Sequence, residues 1–238
     1  MTSTPLLLSV NVDHVATLRQ ARRARYPDPL AAALEAERAG AAQITVHLRG
    51  DRRHIVDEDL SRIAASVQTL LNVECATTEE MAGIMLLRRP HRVTLVAERP
   101  REVTTEGGLD VVRHHDEVAA FAARMIAAGI AVSLFIDPEP EQVAASRMPG
   151  VDMVELNTAR WSETGRAAEL ERLGRAGAVA VETGLELAAG HGLTLHNLRP
   201  LVEAVPRIVE YNIGHALIGD AVFLGLAESV RRYRELLA

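Results

Sequence analysis

Short apolar runs rich in Leu, Val and Ile alternate along the chain with longer stretches where Ala and Leu recur at helical spacing among Glu and Arg. The runs predict strands at Leu6–Val12, Gln43–Leu48, Leu71–Cys75, Arg92–Val96, Ala131–Ile136, Asp152–Leu156, Leu185–Ala189 and Ile208–Ile213. Helix starts stand between them at Asp28-Pro29, Asp57, Thr77-Thr78-Glu79-Glu80 and Asp137-Pro138. Each supplies a capping oxygen, a fixed φ or an acidic first turn where unpaired N–H groups need one. Gly40, Gly129 and Gly184 stand where helices should stop.

Strand–helix units of about 30 residues predict an α/β protein, a (β/α)8 TIM barrel with extra helices, a fold of roughly 250 residues. An open doubly wound sheet would want a glycine-rich turn after its first strand. That strand instead ends in Asn11-Val12-Asp13-His14. Nothing resembling a linker interrupts residues 1–238, so the expectation is a single barrel domain. His14–Pro29 and Pro100–Val112 are longer than a bare unit requires, which marks them as functional loops or sites of an added helix.

Composition narrows the chemistry. Apolar residues make up 48% of the 238 and aromatics only 3%, so the core must be aliphatic. All 26 basic residues are arginine. Without lysine the protein offers no amine for a Schiff base with substrate or pyridoxal phosphate, and no Walker A loop. A net charge of −6 argues against a nucleic-acid partner. The lone Cys75 excludes an intramolecular disulfide and a multi-cysteine zinc site. The opening MTSTPLLLSVNV has no basic flank, and its apolar run is too short for a signal peptide or a membrane span. A cytoplasmic protein with no membrane partner is the expectation.

Polar and ionisable residues collect just past the C-terminal end of almost every predicted strand: Asn11, Asp13 and His14; His47, Arg49 and His54; Glu74; Glu98 and Thr104; Asp137; Glu155 and Asn157; His191; Asn212, Gly214 and His215. That is the face on which such barrels carry their active sites. Glu74 lies inside the apolar strand Leu-Leu-Asn-Val-Glu-Cys-Ala, where burial should raise its pKa and leave it a base; a structural carboxylate paired with arginine is the alternative. Strand alternation turns His47 into the barrel mouth, although a lone histidine on such a strand is more often a core residue. His191 sits between Gly190 and Gly192, which let the backbone approach a ligand. Arg49 has the planar fork that suits phosphate, whereas Arg52 and Arg53 read as a solvated turn. Gly192, Gly214 and His215 occupy the loops after strands seven and eight, a usual phosphate site. His114-His115-Asp116 and His196 match no metal spacing and read as helix-surface or capping groups.

The segments N-V-D-H-V-A-T-L-R (11–19), Y-P-D-P (26–29), T-V-H-L-R-G-D-R-R-H-I (45–55), N-V-E (72–74), E-V-T-T-E-G-G-L-D (102–110), A-G-H-G-L (189–193) and N-I-G-H-A-L-I-G (212–219) together resemble the pyridoxine 5′-phosphate synthase family, from about residue 6 to residue 235. The resemblance implies a (β/α)8 barrel assembled as a homo-octamer. It implies condensation of 3-amino-2-oxopropyl phosphate with 1-deoxy-D-xylulose 5-phosphate to pyridoxine 5′-phosphate, inorganic phosphate and water, with no metal and no organic cofactor. It also implies roles: proton transfer for His47, Glu74 and His191, and transition-state stabilisation for Glu155. Asp13, His14, Arg49, His54 and Thr104 would hold the sugar phosphate; Asn11, Arg22, Gly192, Gly214 and His215 would hold the aminoketone phosphate. The missing lysine fits, because the imine joins the two substrates to each other. Departures from the family pattern are Leu156-Asn157-Thr158-Ala159-Arg160-Trp161 after Glu155, Ala97 before Glu98, and Gly50. The competing readings are a metal-dependent sugar-phosphate epimerase or aldolase using the same histidines and carboxylates as ligands, and a barrel that binds sugar phosphate without turning it over.

Overall fold

A computed structural model describes residues 5–98 and 107–238. Among them the chain runs β1 (Leu7–Asn11), α1 (Asp13–Arg22), α2 (Pro29–Arg38), β2 (Gln43–His47), α3 (Asp57–Ser66), β3 (Leu70–Cys75), α4 (Glu79–Arg88) and β4 (Arg92–Leu95). It continues through α5 (His115–Ala127), β5 (Ala131–Ile136), α6 (Pro140–Ala145), β6 (Val151–Asn157), α7 (Ala159–Thr164), α8 (Ala167–Thr183) and β7 (Glu186–Gly190), then α9 (Leu198–Ala204), β8 (Ile208–Ile213), α10 (His215–Leu224) and α11 (Leu226–Leu237). All strands are parallel, each pairs with its neighbour in sequence, and β8 closes onto β1. The expected strands are all present to within about one residue at either end. The added helix of the first long loop is α1, which begins directly after β1.

Helix starts follow the expected chemistry at two sites. Asp28 accepts from Leu30 N at 3.1 Å, and Thr78 Oγ1 accepts from Met81 N at 3.2 Å. Asp137-Pro138 is a correction: α6 opens at Pro140 after Glu139. Asp137 instead accepts from Gly108 N at 3.1 Å and Asn157 Nδ2 at 3.0 Å, which spends its carboxylate on loops at the barrel mouth.

The two strand faces divide the work. Outward residues such as Val10, Ile44, Val46, Val73, Leu95, Leu134 and Leu156 are buried against the helices and make the aliphatic core. Inward residues are mostly polar, where barrels of this kind usually stack branched apolar side chains. At the N-terminal end Arg92 donates to Glu210 at 2.7 Å, and Gln43 Nε2 donates to Glu210 at 2.9 Å and to Ser9 Oγ at 3.0 Å. One layer up, Ser9 and Thr45 hydroxyls lie 2.7 Å apart and Thr94 Oγ1 donates to Asn72 at 2.9 Å. Such a network is favourable only if its members find partners, and this one forms the floor on which the mouth residues stand. No described helix is long and apolar enough to cross a membrane.

Candidate active site

The period-two alternation that points Gln43 and Thr45 inward also points His47 inward, and its register partner on β3 is Glu74. His47 Nδ1 lies 3.8 Å from Glu74 Oε2, and Nε2 lies 3.0 Å from Glu98 Oε1. A carboxylate only accepts, so Nε2 carries the proton and Nδ1 is the nitrogen left to exchange one with the cavity. Glu98 also accepts from Gly50 N at 3.0 Å, locking the turn after β2. Asp13 is held from three sides: His47 N donates to Oδ1 at 2.8 Å, Asn11 Nδ2 to Oδ2 at 2.8 Å, and its own N–H reaches Asn11 Oδ1 at 2.9 Å.

A second carboxylate faces Glu74 across the barrel. Glu155 is 2% exposed, and Asn212 from β8 spans the two acids. Asn212 Nδ2 is 2.8 Å from Glu74 Oε1 and 3.4 Å from each Glu155 oxygen. The Glu155 carboxylate fits because it reaches over Gly190 of β7: a Cβ there would lie 2.0 Å from Glu155 Oε1.

The third group is histidine-rich. His14 and His215 rings stand 4.8 Å apart, and His191 lies 4.6 Å from the Phe135 ring. His191 adopts φ +75°, a conformation that costs a residue with a side chain of order 1–3 kcal/mol and that clusters at functional sites. The altered loop six holds it there: Thr158 N donates to Gly190 O at 2.9 Å, and the Thr158 hydroxyl lies 2.5 Å from His191 O. Asn157 accepts from Ala159 N at 3.0 Å, so the asparagine caps this turn itself. Gly192 packs against Ser162, which a Cβ would meet at 2.6 Å.

Burial, with the charge on Glu74 next, raises Asp13 to about 7. Burial and the charges on Glu74 and Glu210 raise Glu155 well above the ordinary carboxylate range. For His47, burial opposes the cation, but the Glu98 hydrogen bond and the charges on Glu74 and Asp13 outweigh it and raise the pKa. Burial, then the His215 and His191 rings, lower His14 to about 4. Burial, then His47 and Arg49, lower His54 to about 3. Burial opposes the charge on Glu98, but the hydrogen bonds from His47 and Gly50 outweigh it and lower its pKa, so carboxyls at this end of the barrel are driven apart, the mark of divided acid and base roles.

Stability should follow. Unfolded, His14 and His54 bind protons below about 6.5, before the folded chain does, so they remove stability as pH falls toward 4 and 3. Asp13 and Glu155 bind protons more tightly when folded. Their stabilisation is complete below the unfolded values and drains as pH rises, for Asp13 until about 7. The two pairs oppose between about pH 4.5 and 6.5, and above that only Asp13, Glu155 and His47 act. The urea midpoint of the ligand-free protein should be level over the first range and fall as pH rises past about 6.5. A rise over the second range contradicts these environments.

The whole chain has a known pattern. Residues 8–238 match the family described as pyridoxal phosphate biosynthesis protein PdxJ. The chain belongs to the PdxJ family. It is 50% identical over 236 residues to pyridoxine 5′-phosphate synthase of Synechococcus sp. (strain JA-2-3B'a(2-13)), covering 98% of each sequence. In fold it is similar to KGPDC from Streptococcus mutans (TM-score 0.69, 12% identity, 98% and 97% coverage). It is also similar to phosphoribosylanthranilate isomerase from Thermotoga maritima (TM-score 0.62, 14% identity, 98% of each chain).

In this PdxJ-family chain the expected site residues sort into places. Asn11, Asp13, His47, Glu74 and Glu155 belong to one buried group around the first, second, third and sixth strands, and half-buried His54 stands at its edge, its ring 5.9 Å from that of His47. Arg49 is 3% exposed with Nε 3.5 Å from Asp51. Arg19 of α1 grips Asp59 with two bonds of 2.6 and 2.7 Å and donates to His54 O at 3.1 Å, fastening the loop that bears Arg49 and His54 to the helix behind Asp13. His14, His191 and His215 form the second group, and Gly192 and Gly214 line the turns beside it. Arg22 is exposed in the last turn of α1, and among the described residues no hydrogen bond or ion pair ties it to either group. Thr104 lies outside the described residues. Glu98 and Asn212 are the functional candidates that sequence reasoning passed over. Both stand in the polar pile-up; the inward register of Asn212 on β8 was the available signal, whereas Glu98 lies beyond the end of β4.

Proposed function

We propose that this chain is a pyridoxine 5′-phosphate synthase, joining 3-amino-2-oxopropyl phosphate to 1-deoxy-D-xylulose 5-phosphate with release of inorganic phosphate and water. The observation that carries the proposal is the pair Glu74 and Glu155, bridged by Asn212 in one buried mouth with His47 in register beside Glu74. Imine formation between the substrates needs no protein amine, and the chain has no lysine to offer. What remains is proton traffic through dehydrations, enolisation and ring closure, work worth about 10²–10⁴-fold for each well-placed group.

Glu74 takes protons from substrate; Glu155, held toward its protonated form by burial and the Glu74 charge, returns them and meets developing charge. His47 exchanges a proton at Nδ1 while Glu98 fixes its ring, and His191, on its strained turn, serves as a donor from the other side. Asp13, His14, Arg49 and His54, with Thr104, take the sugar phosphate. Asn11, Arg22, Gly192, Gly214 and His215 take the aminoketone phosphate, for which the backbone N–H groups at the start of α10 suit an anion. A homo-octamer is part of the proposal, and the exposed Val222 and Phe223 of α10 supply apolar surface for contacts between copies.

The test is turnover: the two substrates mixed with the protein should generate the pyridinol absorbance and release phosphate. Binding of both substrates without product would leave a non-catalytic sugar-phosphate barrel. Arg49→Ala should raise KM for the sugar phosphate about 10–100-fold, the worth of a charge-assisted bond or two, with a smaller change in kcat. An unchanged KM would remove Arg49 from the phosphate site.

One observation favours a second reading. Asp13, His47 and His54 hold ligand-type atoms within 4.8 Å of one another, a spacing open to a divalent metal. Both Asp13 oxygens and His47 Nε2 already have hydrogen-bond partners in the protein, which weighs against it. The metal-dependent epimerase or aldolase predicts stoichiometric zinc or manganese in the purified protein and loss of activity with chelator. Full activity in chelator would eliminate it.

A further inference from the structure

Asn212 is 8% exposed at the C-terminal end of β8 and donates from one side of its amide to Glu74 and Glu155. Two carboxylates can be met only by the NH2 face, so the orientation of the amide is set by chemistry. Its Oδ1 must then point away from both acids. That oxygen is buried and, among the described residues, has no hydrogen-bond partner. An acceptor left bare inside a protein is costly unless a donor arrives. The register neighbour on β7 is Gly190, whose missing side chain leaves the room that the Glu155 carboxylate fills beside Asn212.

The donor the mouth selects has a definite character. Glu74, Glu155 and Asp13 crowd the same end of the barrel, and burial together with the Glu74 charge disfavours further negative charge there. A cationic or strongly polarised N–H relieves both that repulsion and the bare oxygen, whereas phosphate or ketone oxygens relieve neither. Of the two proposed substrates only the aminoketone carries nitrogen.

We infer that Asn212 determines specificity for the amine: its Oδ1 accepts a hydrogen bond from the nitrogen of 3-amino-2-oxopropyl phosphate while its Nδ2 aligns Glu74 and Glu155 beside it. This rests on the substrate assignment made above. Asn212 therefore favours the amine over ketone phosphates that lack it, which leave the buried oxygen without a donor, as it is in the free protein.

The experiment compares binding of 3-amino-2-oxopropyl phosphate with that of 2-oxopropyl phosphate, which keeps the ketone and the phosphate and replaces the amine by hydrogen. Binding is read by calorimetry and by Trp161 fluorescence, without turnover. The wild-type protein should bind the amine at least about tenfold tighter. Asn212→Leu, similar in volume but with no acceptor, should lose most of that preference while its affinity for 2-oxopropyl phosphate stays within about twofold. Asn212→Ala is read the same way where the leucine variant does not fold. A purely structural Asn212 would weaken both ligands alike, and that result overturns the inference. So does equal binding of the two ligands by wild type, or a preference preserved in a folded variant. If neither ligand binds, the substrate assignment itself has failed, and the inference with it.

Discussion

Replacing Glu74 by Gln should lower kcat by two decades or more, with KM for either substrate changed less than about fivefold. Glutamine keeps the shape and can still receive the Asn212 N–H that reaches Oε1 at 2.8 Å. It cannot hold a proton taken from substrate, so the loss should fall on the transition state and leave binding standing. A second consequence separates chemistry from packing. The Glu74 charge is among the causes that raise Asp13 and Glu155, so its removal should lower both pKa values and move the fall in stability above about pH 6.5 to lower pH. His191→Asn should match it in kcat but leave that fall in place, because His191 is among the causes that shift His14 and not among those that raise Asp13 or Glu155. Near-normal kcat in Glu74→Gln would remove it from proton transfer.

Gly190→Ala should cost nearly as much from a single methyl group. The new Cβ would stand 2.0 Å from Glu155 Oε1, 3.1 Å from its Cδ and 3.3 Å from Asn212 O. With Asn212 backbone on the other side of the new methyl, the carboxylate is the group that must shift, and it rotates away from Asn212. We expect kcat to fall about a hundredfold and stability to fall by about 1–3 kcal/mol, the usual cost of overpacking. The control is Gly83→Ala on α4, where an added Cβ meets nothing within 4 Å. It should keep full activity and gain up to about 1 kcal/mol from helix propensity. Gly190→Ala with wild-type kcat would mean that Glu155 need not stand where it does.

The strands were legible because their signal is local. Ala131–Ile136 and Ile208–Ile213 are apolar, β-branched runs bounded by turn residues, and both occupy the predicted positions. The inward turn of His47 was equally legible, since alternation needs only the pleat. Asp137-Pro138 misled because a helix-start signature describes what an aspartate can cap, and two partners from other loops, Gly108 and Asn157, claimed this one. Among the departures after Glu155, Asn157 and Thr158 supply hydrogen bonds that hold the backbone of Ala159 and His191.

By itself the sequence determined which chemistries were open, namely imidazole, carboxylate and guanidinium without a single amine side chain, and at which end of a parallel barrel they gather. These follow from residue identity and from backbone periods that a few neighbouring residues set. Closure of the sheet decided the rest. It brings Asn212 to Glu74 across 138 positions of chain, lets Glu98 reach back to His47, and seats Glu155 over an absent side chain. Proton affinities depend on distance and on lost water, and neither exists until β8 has joined β1.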